Sequence, residues 1–195
     1  MALQAINVTK KYGENIVLDN FSYNFSDSGY TCIMGQSGCG KSTLLLILMG
    51  LVKPDSGEVR GRSAKISAVF QEDRLCENLT VLANLRLVFG KSRNAELLAA
   101  LSEIGLDGCE NQPVRELSGG MKRRLALLRA LLAEYDVLFL DEPFKGLDSC
   151  TKARVMQLCR DKTAGKSVIL VTHDKGEADF FGENLIEFGV DSASR

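Results

Sequence analysis

The chain has 195 residues, of which 45% are hydrophobic and 25% are charged, and its formal net charge is −1. This composition is typical of a globular protein with one substantial core, and the near-zero net charge gives no argument for nucleic-acid binding. The longest apolar runs are shorter than the roughly 20 residues of a membrane-spanning helix, and the first residues lack the pattern of a secretion signal. We therefore expect a cytoplasmic protein that binds no nucleic acid.

Six cysteines are spread along the chain, and none belongs to a C-x-x-C pair. This spacing disfavours a zinc site, and without a secretion signal a disulfide framework is not expected either. We expect six reduced thiols. The cysteines are Cys32, Cys39, Cys76, Cys109, Cys150 and Cys159.

The first strand patterns lie near the N-terminus. Residues 3–13, 16–25 and 57–61 alternate between apolar and polar side chains or are rich in β-branched ones. These patterns predict an antiparallel β portion in this part of the chain.

Residues 30–50 contain a complete phosphate-binding motif. An apolar strand pattern, YTCIM, is followed by the turn GQSGCG and by the helix pattern KSTLLLILM, which Gly50 is well placed to end. The stretch matches G-x4-G-K-S in the strand–turn–helix context that this motif requires. Backbone amides of the turn and the start of the helix can bind triphosphate oxygens, Lys41 can neutralise them, and the Ser42 hydroxyl can bind Mg²⁺. The predicted ATP-binding residues of this loop are Gly35, Gln36, Ser37, Gly38, Cys39, Gly40, Lys41, Ser42 and Thr43.

A second strand pattern, residues 137–140, is continuously apolar and ends in Asp141 and Glu142. Open α/β sheets bind ligands at the carboxyl ends of their strands, where both acids would lie. Successive residues of a strand point in different directions, so the two acids can have different functions. Asp141 would hold Mg²⁺, and Glu142 would orient and deprotonate the attacking water.

The single histidine, His173, follows a third apolar strand pattern, SVILV. A lone histidine is usually structural, but this one ends a strand at the same edge of the predicted sheet. It could donate a hydrogen bond to the γ-phosphate or to the attacking water. Together these stretches predict an α/β protein with a P-loop NTPase core and a mostly parallel sheet.

Six short motifs follow one another in the order found in ABC-type ATPases: GQSGCGKST, a glutamine in AVFQEDRL, LSGGM, VLFLDEP, GLD and VTHD. From Tyr12 to about Asp174 the chain resembles the ATP-binding domains of this family, and LSGG is the specific element. The resemblance implies one ABC-type domain over 1–195 that hydrolyses ATP with Mg²⁺. It also implies an α-helical insertion at about 72–117, where 78–89 and 94–106 have helix patterns.

The resemblance further implies that two such domains pair head to tail, with each ATP between the P-loop of one and the LSGG turn of the other. Ser118, the amides of Gly119 and Gly120, and the dipole of the helix that follows would form this second anion site. The basic residues 122–124 come directly after the turn. We interpret them as a solvated basic face.

Three more residues take roles from the resemblance. Tyr12 would stack on the adenine, although a tyrosine in the core of a sheet is the alternative. Gln71 would contact Mg²⁺ and shift when the γ-phosphate leaves, and Asp148 would cross the dimer interface toward the partner's P-loop.

The sequence departs from the family pattern in two places. Met121 follows LSGG where glutamine is most usual, and methionine lacks the hydrogen bonds of an amide. Because most phosphate contacts would come from Ser118 and the backbone, we expect a modest effect. Lys145 and Gly146 stand where small residues such as serine and alanine are common, which affects details of the interface.

The first functional hypothesis is the ATP-binding subunit of an ABC transporter, peripheral on the inner face of the cell membrane. Its partners would be a second ATP-binding subunit, separate transmembrane permease subunits and, as a further candidate, a solute-binding protein. Residues 69–85 are similar to the corresponding stretch of nitrate, sulfonate and taurine importers, although Glu77 and Asn78 replace a Pro-Trp that those importers often have.

The alternative from another class is a non-transport ABC ATPase that acts on nucleic acid or ribosomes. Only 77 residues separate Lys41 from Ser118, and no sustained heptads mark the coiled coil of chromosome-associated types. A degenerate regulatory subunit is a third possibility, against which Lys41, Asp141, Glu142 and His173 are all present.

Overall fold

A computed structural model describes residues 2–89, 94–182 and 184–188. In chain order its strands are β1 (Gln4–Tyr12), β2 (Asn15–Asn24), β3 (Gly29–Gly35), β4 (Ser56–Arg60), β5 (Ile66–Val69), β6 (Val137–Asp141), β7 (Ser167–Val171) and β8 (Asn184–Phe188). The helices are α1 (Lys41–Leu48), α2 (Val81–Phe89), α3 (Asn94–Glu103), α4 (Gly119–Leu132), α5 (Ser149–Lys162) and α6 (Lys175–Phe181), with a 3₁₀ turn at Val114–Glu116.

The strands form two sheets, as the sequence patterns predict. The smaller sheet is antiparallel, in the order β2–β1–β4. The larger sheet is parallel, in the order β5–β6–β7–β3–β8. Because all strands of the larger sheet run the same way, the residues that follow β3, β5, β6 and β7 emerge at one edge.

Both faces of the parallel sheet are covered, which explains its continuously apolar strands. On one face, Leu138 and Leu140 of β6 pack with residues of α4, α5 and α6. On the other, Val137 and Phe139 of the same strand pack with α1 and the antiparallel sheet. Full burial of each such side chain contributes roughly 1.5–3 kcal/mol. Successive side chains of β6 therefore point in opposite directions, as expected, and each direction leads into a separate core.

Helices α2 and α3 lie within the range predicted for the insertion and pack around an apolar cluster of their own. Both helices are shorter than the helix patterns in the sequence suggested. The Thr80 hydroxyl accepts a hydrogen bond from the amide of Ala83 at 3.2 Å, so α2 begins only after Thr80. After α3, Gly105 adopts a φ of 67° that a helix cannot continue.

Helix α4 joins the insertion to the parallel sheet. Its residues Leu125 and Leu128 belong to the cluster formed with α2 and α3. Leu127 and Ala130, on another face of the same helix, belong to the core beneath the parallel sheet. Neither core can shift relative to the other without disturbing the packing of this helix.

All six cysteines are free. None of the described helices is long and apolar enough to cross a membrane.

Candidate active site

The turn after β3, residues 35–40, leads directly into α1. Gly40 has a φ of 102°, and a Cβ at this position would lie 2.5 Å from the carbonyl oxygen of Val17. Only glycine fits such a backbone. Gly40 is also the N-cap of α1 and provides no side-chain hydrogen bond to the first turn, so the amides at the start of this helix can bind an anion.

Lys41 is the first residue of α1, and its side chain folds back over the turn. The residue is buried, and its ammonium donates hydrogen bonds to the carbonyl oxygens of Gly35 and Gln36, both at 2.7 Å. The Sγ of Cys39 lies 3.6 Å from the same nitrogen. A positive charge is thus held within the predicted phosphate-binding turn.

A cavity of about 330 Å³ opens beside this turn. Residues from five separate stretches line it: Tyr12, Val17, the turn and start of α1 (Ser37, Gly38 and Gly40 to Thr43), Gln71, and the two acids Asp141 and Glu142. Tyr12 is 52% exposed, so the alternative of a core tyrosine is wrong. The structure therefore places most of the residues predicted for nucleotide and metal around one cavity, although Gly35, Gln36 and Cys39 of the turn do not line it.

Asp141 and Ser42 are direct neighbours in this cavity. Both side chains line this cavity. Burial raises the pKa of Asp141 above its ordinary value, and the nearby Ser42 hydroxyl opposes that rise. A hydroxyl, a carboxylate and the nearby amide of Gln71 are the hard oxygen donors that Mg²⁺ prefers, and Mg²⁺ commonly completes its coordination with phosphate oxygens and water. These residues fit a magnesium ion bound with a nucleotide.

Glu142 also lines a second pocket, which it shares with Lys145 and His173. One carboxylate oxygen lies 3.1 Å from His173 Nδ1 and the other lies 3.1 Å from Lys145 Nζ. Burial alone would raise the pKa of Glu142, but Lys145 and His173 together hold the pKa below its ordinary value. The carboxylate is therefore ionised at neutral pH and able to accept a proton.

The backbone of Glu142 has a φ of 46°, in the left-handed region that non-glycine residues rarely adopt. The amide of Glu142 donates to the carbonyl oxygen of Val171 at the end of β7, at 2.9 Å. The neighbouring strand thus helps to hold this unusual conformation.

His173 is exposed, but the segment that carries it is fixed on both sides. The Thr172 hydroxyl donates to the buried carboxylate of Glu177, at 2.6 Å. Asp174 is the N-cap of α6, and Lys152 of α5 forms ion pairs with both Asp174 and Glu177. These contacts keep the imidazole beside Glu142.

The second glycine-rich turn lies apart from the cavity. Ser118 is the N-cap of α4 and accepts a hydrogen bond from the amide of Met121 at 3.3 Å. Asp148 is likewise the N-cap of α5 and accepts from the amide of Thr151 at 3.0 Å, which lowers the pKa of Asp148. Neither Ser118 nor Asp148 lines the cavity beside the P-loop. The structure does not bring these predicted residues into the chain's own nucleotide site.

The two departures from the family pattern have local explanations. Met121 packs against the apolar cluster of the insertion, a contact that suits a thioether better than an amide. Gly146 has a φ of 78°, which favours glycine. Lys145, as described above, pairs with Glu142.

The interpretation of residues 122–124 as a solvated basic face is wrong. Arg123 is 5% exposed, and its guanidinium donates to the carbonyl oxygens of Phe70 and Asp141 at 2.7 Å and of Pro143 at 3.1 Å. It also pairs with Asp73 at 3.0 Å. Arginine has five N–H donors in a planar fork, which allows one buried side chain to satisfy several carbonyls.

The residues on either side of Arg123 also have protein partners. Lys122 forms an ion pair with Glu77 at 2.9 Å. Arg124 donates to the carbonyl oxygen of Gly105 at 3.0 Å, beyond the end of α3. A helical spacing places Arg123 on the same face as Leu127 and the rest of the sheet-facing stripe, and this periodicity is the signal that could have identified its burial.

The fold and this site define a P-loop nucleotide-binding protein with its acids at the carboxyl end of β6. Residues 18–145 match the protein family described as ABC transporter. The chain is 42% identical to the aliphatic sulfonates import ATP-binding protein SsuB 1 of Shouchella clausii, over 91% of this chain and 73% of that protein. It is 39% identical to the protein of the same name from Nocardia farcinica, over 99% of this chain and 82% of that protein.

A solved structure has the same architecture. It is described as a dimeric post-hydrolysis state of the ATP-binding cassette MJ0796 bound to ADP and Pi. It superposes with a TM-score of 0.84 and 35% identity, over 95% of this chain and 94% of that one. The chain therefore belongs to the ABC transporter family and is an ATP-binding subunit with ATPase activity. The relatives do not favour the non-transport alternative, and their names agree with the similarity expected from residues 69–85.

Proposed function

We propose that two copies of the chain close head to tail around two MgATP molecules and that this closure drives transport through separate permease subunits. The supporting observation is that the two glycine-rich helix starts lie apart. One forms a cavity together with Glu142, whereas the other, at Ser118, is exposed and does not line that cavity. A second copy can complete the site, because the start of a 14-residue helix is a ready anion-binding surface.

In the closed pair, a water molecule attacks the γ-phosphorus in line with the bond to the bridging oxygen, and that bond breaks to release ADP. Glu142 accepts the proton of this water. Lys41 and the Ser118 turn of the partner subunit stabilise the charge on the γ-phosphate oxygens. Mg²⁺ held by Ser42, Asp141 and Gln71 would neutralise phosphate charge.

His173 has two ring nitrogens for two different acceptors. Its Nδ1 faces the Glu142 carboxylate and carries a proton when it donates there. Its other ring nitrogen, Nε2, would contact a γ-phosphate oxygen. Loss of the γ-phosphate would remove this contact and the contact of Ser118, and the dimer would open.

We further propose that the chain lies on the inner face of the cell membrane, bound to permease subunits through the helical insertion. The names of the relatives support an importer of aliphatic sulfonates. A solute-binding protein is proposed as a further partner. Copurification with a polytopic membrane protein would support this assignment. Copurification with ribosomes or nucleic acid instead would contradict it.

The dimer is tested with the Glu142→Gln variant, which keeps the shape of the side chain but removes the base. We expect hydrolysis to fall by about 10²- to 10⁴-fold while ATP binding is retained. Light scattering after size-exclusion chromatography should show a monomer without nucleotide and a dimer with MgATP. Adding Ser118→Arg should abolish the dimer, because the larger cation blocks the turn. A Glu142→Gln protein that binds MgATP but stays monomeric would contradict closure by two identical copies.

A further inference from the structure

Arg123 connects the two regions that the proposed dimer assigns to different nucleotides. It lies in the second turn of α4, whose first residues form the Ser118 turn, and its guanidinium lies at the carboxyl ends of β5 and β6. We propose that Arg123 is a positioning residue that couples the two ATP sites of the dimer. It would hold the turn that binds the partner's ATP in a fixed place relative to the residues that act on the chain's own ATP. This inference rests on the head-to-tail dimer proposed above.

All three guanidinium nitrogens are used, and each serves a different part of the site. Nη1 donates to the carbonyl oxygens of Phe70 and Gln71, at 2.7 and 3.4 Å. Nη2 donates to the carbonyl oxygens of Asp141, at 2.7 Å, and of Glu142. Nε donates to the carbonyl oxygen of Pro143 at 3.1 Å. One side chain therefore links the segment of the metal-contacting glutamine to the backbone of the catalytic base.

The contact with Glu142 is significant because of that residue's backbone. Its φ of 46° is held on one side by the hydrogen bond from its amide to Val171 and on the other by the hydrogen bond from Arg123 to its carbonyl. A shift of α4 would therefore reach the peptide that orients the catalytic carboxylate. Helix α4 is also packed against the insertion through Leu125 and Leu128, so it can transmit a movement from that side as well.

A lysine could not replace this arginine in full. An ammonium is a single point with three donors, whereas the planar guanidinium reaches acceptors that follow two different strands at once. The side chain of Asp73 is 26% exposed and supplies an opposite charge from the β5 side. A purely structural role would predict that variants lose stability and every activity together, whereas coupling predicts a selective loss.

The test compares Arg123→Gln with Arg129→Gln, a matched control on the same helix. Arg129 donates to the carbonyl oxygen of Arg74 at 2.8 Å, and among the described residues no hydrogen bond joins its side chain to the strand ends or to the Ser118 turn. Each variant is made in the native chain for hydrolysis and in the Glu142→Gln chain for dimerisation. Nucleotide affinity of the monomer and the temperature of unfolding are measured on both.

For Arg123→Gln we expect ATP to bind the monomer within about threefold of the parent, because the P-loop is untouched. We expect kcat and the association constant of the dimer in MgATP each to fall at least about tenfold. A change of this size lies within the usual range of coupling between sites. Two coupled ATP sites predict that the rate of the parent depends sigmoidally on ATP, and in this variant the curve should flatten toward a Hill coefficient of one. Arg123→Lys should recover part of the loss, and Arg129→Gln should behave like the parent.

Three results would overturn the inference. In the first, Arg123→Gln dimerises and hydrolyses ATP as the parent does. In the second, affinity, dimerisation and rate all fall in proportion to the folded fraction, which marks a structural role. In the third, the Glu142→Gln parent stays monomeric, which contradicts the dimer itself and is seen before any arginine variant is made.

If Arg123→Gln does not fold, Asp73→Asn replaces it. This variant leaves the arginine in place and weakens only its link to the β5 side. A smaller loss of dimerisation, again with unchanged ATP affinity of the monomer, is expected, and parental dimerisation would overturn the inference.

Discussion

The chain has two glycine-rich helix starts, and they differ in whether the backbone angle and the surrounding atoms require a glycine. At the P-loop, Gly40 has a φ of 102° and a Cβ there would clash with Val17 at 2.5 Å. At the second turn, Gly119 has no positive φ, and no atom lies within 4 Å of the position that its Cβ would take. The chain's own fold thus requires glycine at 40 but not at 119. A reason for glycine at 119 must come from something that approaches this surface from outside.

The caps of the two helices differ in the same way. Gly40 leaves the first amides of α1 without a side-chain partner, whereas Ser118 already binds the amide of Met121. The serine hydroxyl that accepts this bond still has its own proton to donate. The P-loop is thus arranged to accept phosphate through backbone amides, and the Ser118 turn can add one hydroxyl donor to a phosphate presented by a partner.

Of three variants that test this difference, Gly40→Ala should have the largest effect, and the effect should be on ATP binding. The left-handed backbone costs alanine roughly 1–2 kcal/mol, and the contact with Val17 forces the turn to move. Loss of two charge-assisted hydrogen bonds to phosphate, each about 1.5 kcal/mol or more, would weaken ATP binding about 100-fold. Isothermal titration with the monomer measures this. Binding at parental affinity would show that the turn tolerates a side chain.

Gly119→Ala is the matched variant at the other helix start, and its effect should be smaller and different in kind. Unfolding temperature and ATP affinity of the monomer should match the parent, since no atom of the chain meets the new methyl group. Steady-state kcat should fall at least about tenfold, the equivalent of one lost hydrogen bond to a charged group. A full rate with this variant would mean that no phosphate closely approaches the turn.

Tyr12→Ala should give the smallest of the three effects. The ring is half exposed at the cavity, so stacking on a base should contribute near the lower end of its usual range of about 1–3 kcal/mol, and ATP affinity should fall about fivefold to tenfold. Tyr12→Phe keeps the ring and should bind like the parent. Tripolyphosphate has no base and should bind parent and variant equally. If the Tyr12→Ala protein bound ATP with the affinity of the parent, Tyr12 would not contact the nucleotide.

Much of this architecture follows from local patterns. The alternation in β1 and β2, the apolar run of β6 and the motif around Lys41 each reflect short-range rules, and the structure places them as predicted. The order of the parallel strands could not be predicted from local patterns, because it depends on which strands pair across a long separation in the chain. That order brings Gln71, Asp141 and His173 to one edge.

Arg123 shows where local reasoning fails. Three consecutive basic residues suggest a solvated surface, but each points in a different direction around the helix axis. Only one of them faces the carbonyls at the ends of β5 and β6, and those carbonyls come from segments about 20 to 50 residues away on either side. Helical spacing alone can place Arg123 on the buried face, but the carbonyls that satisfy this buried charge come together only in the assembled fold.

The left-handed backbone of Glu142 has a consequence for how this chain could change in descent. A non-glycine residue held at a φ of 46° raises the free energy of the folded protein by about 1 kcal/mol or more, and glycine at this position would relieve it. Selection for hydrolysis opposes that relief. In a lineage that keeps the chain only as a nucleotide-binding scaffold, replacement of Glu142 by glycine would therefore increase thermal stability while it removes the base. Because the reverse change would lower stability, such a loss of activity would not readily revert.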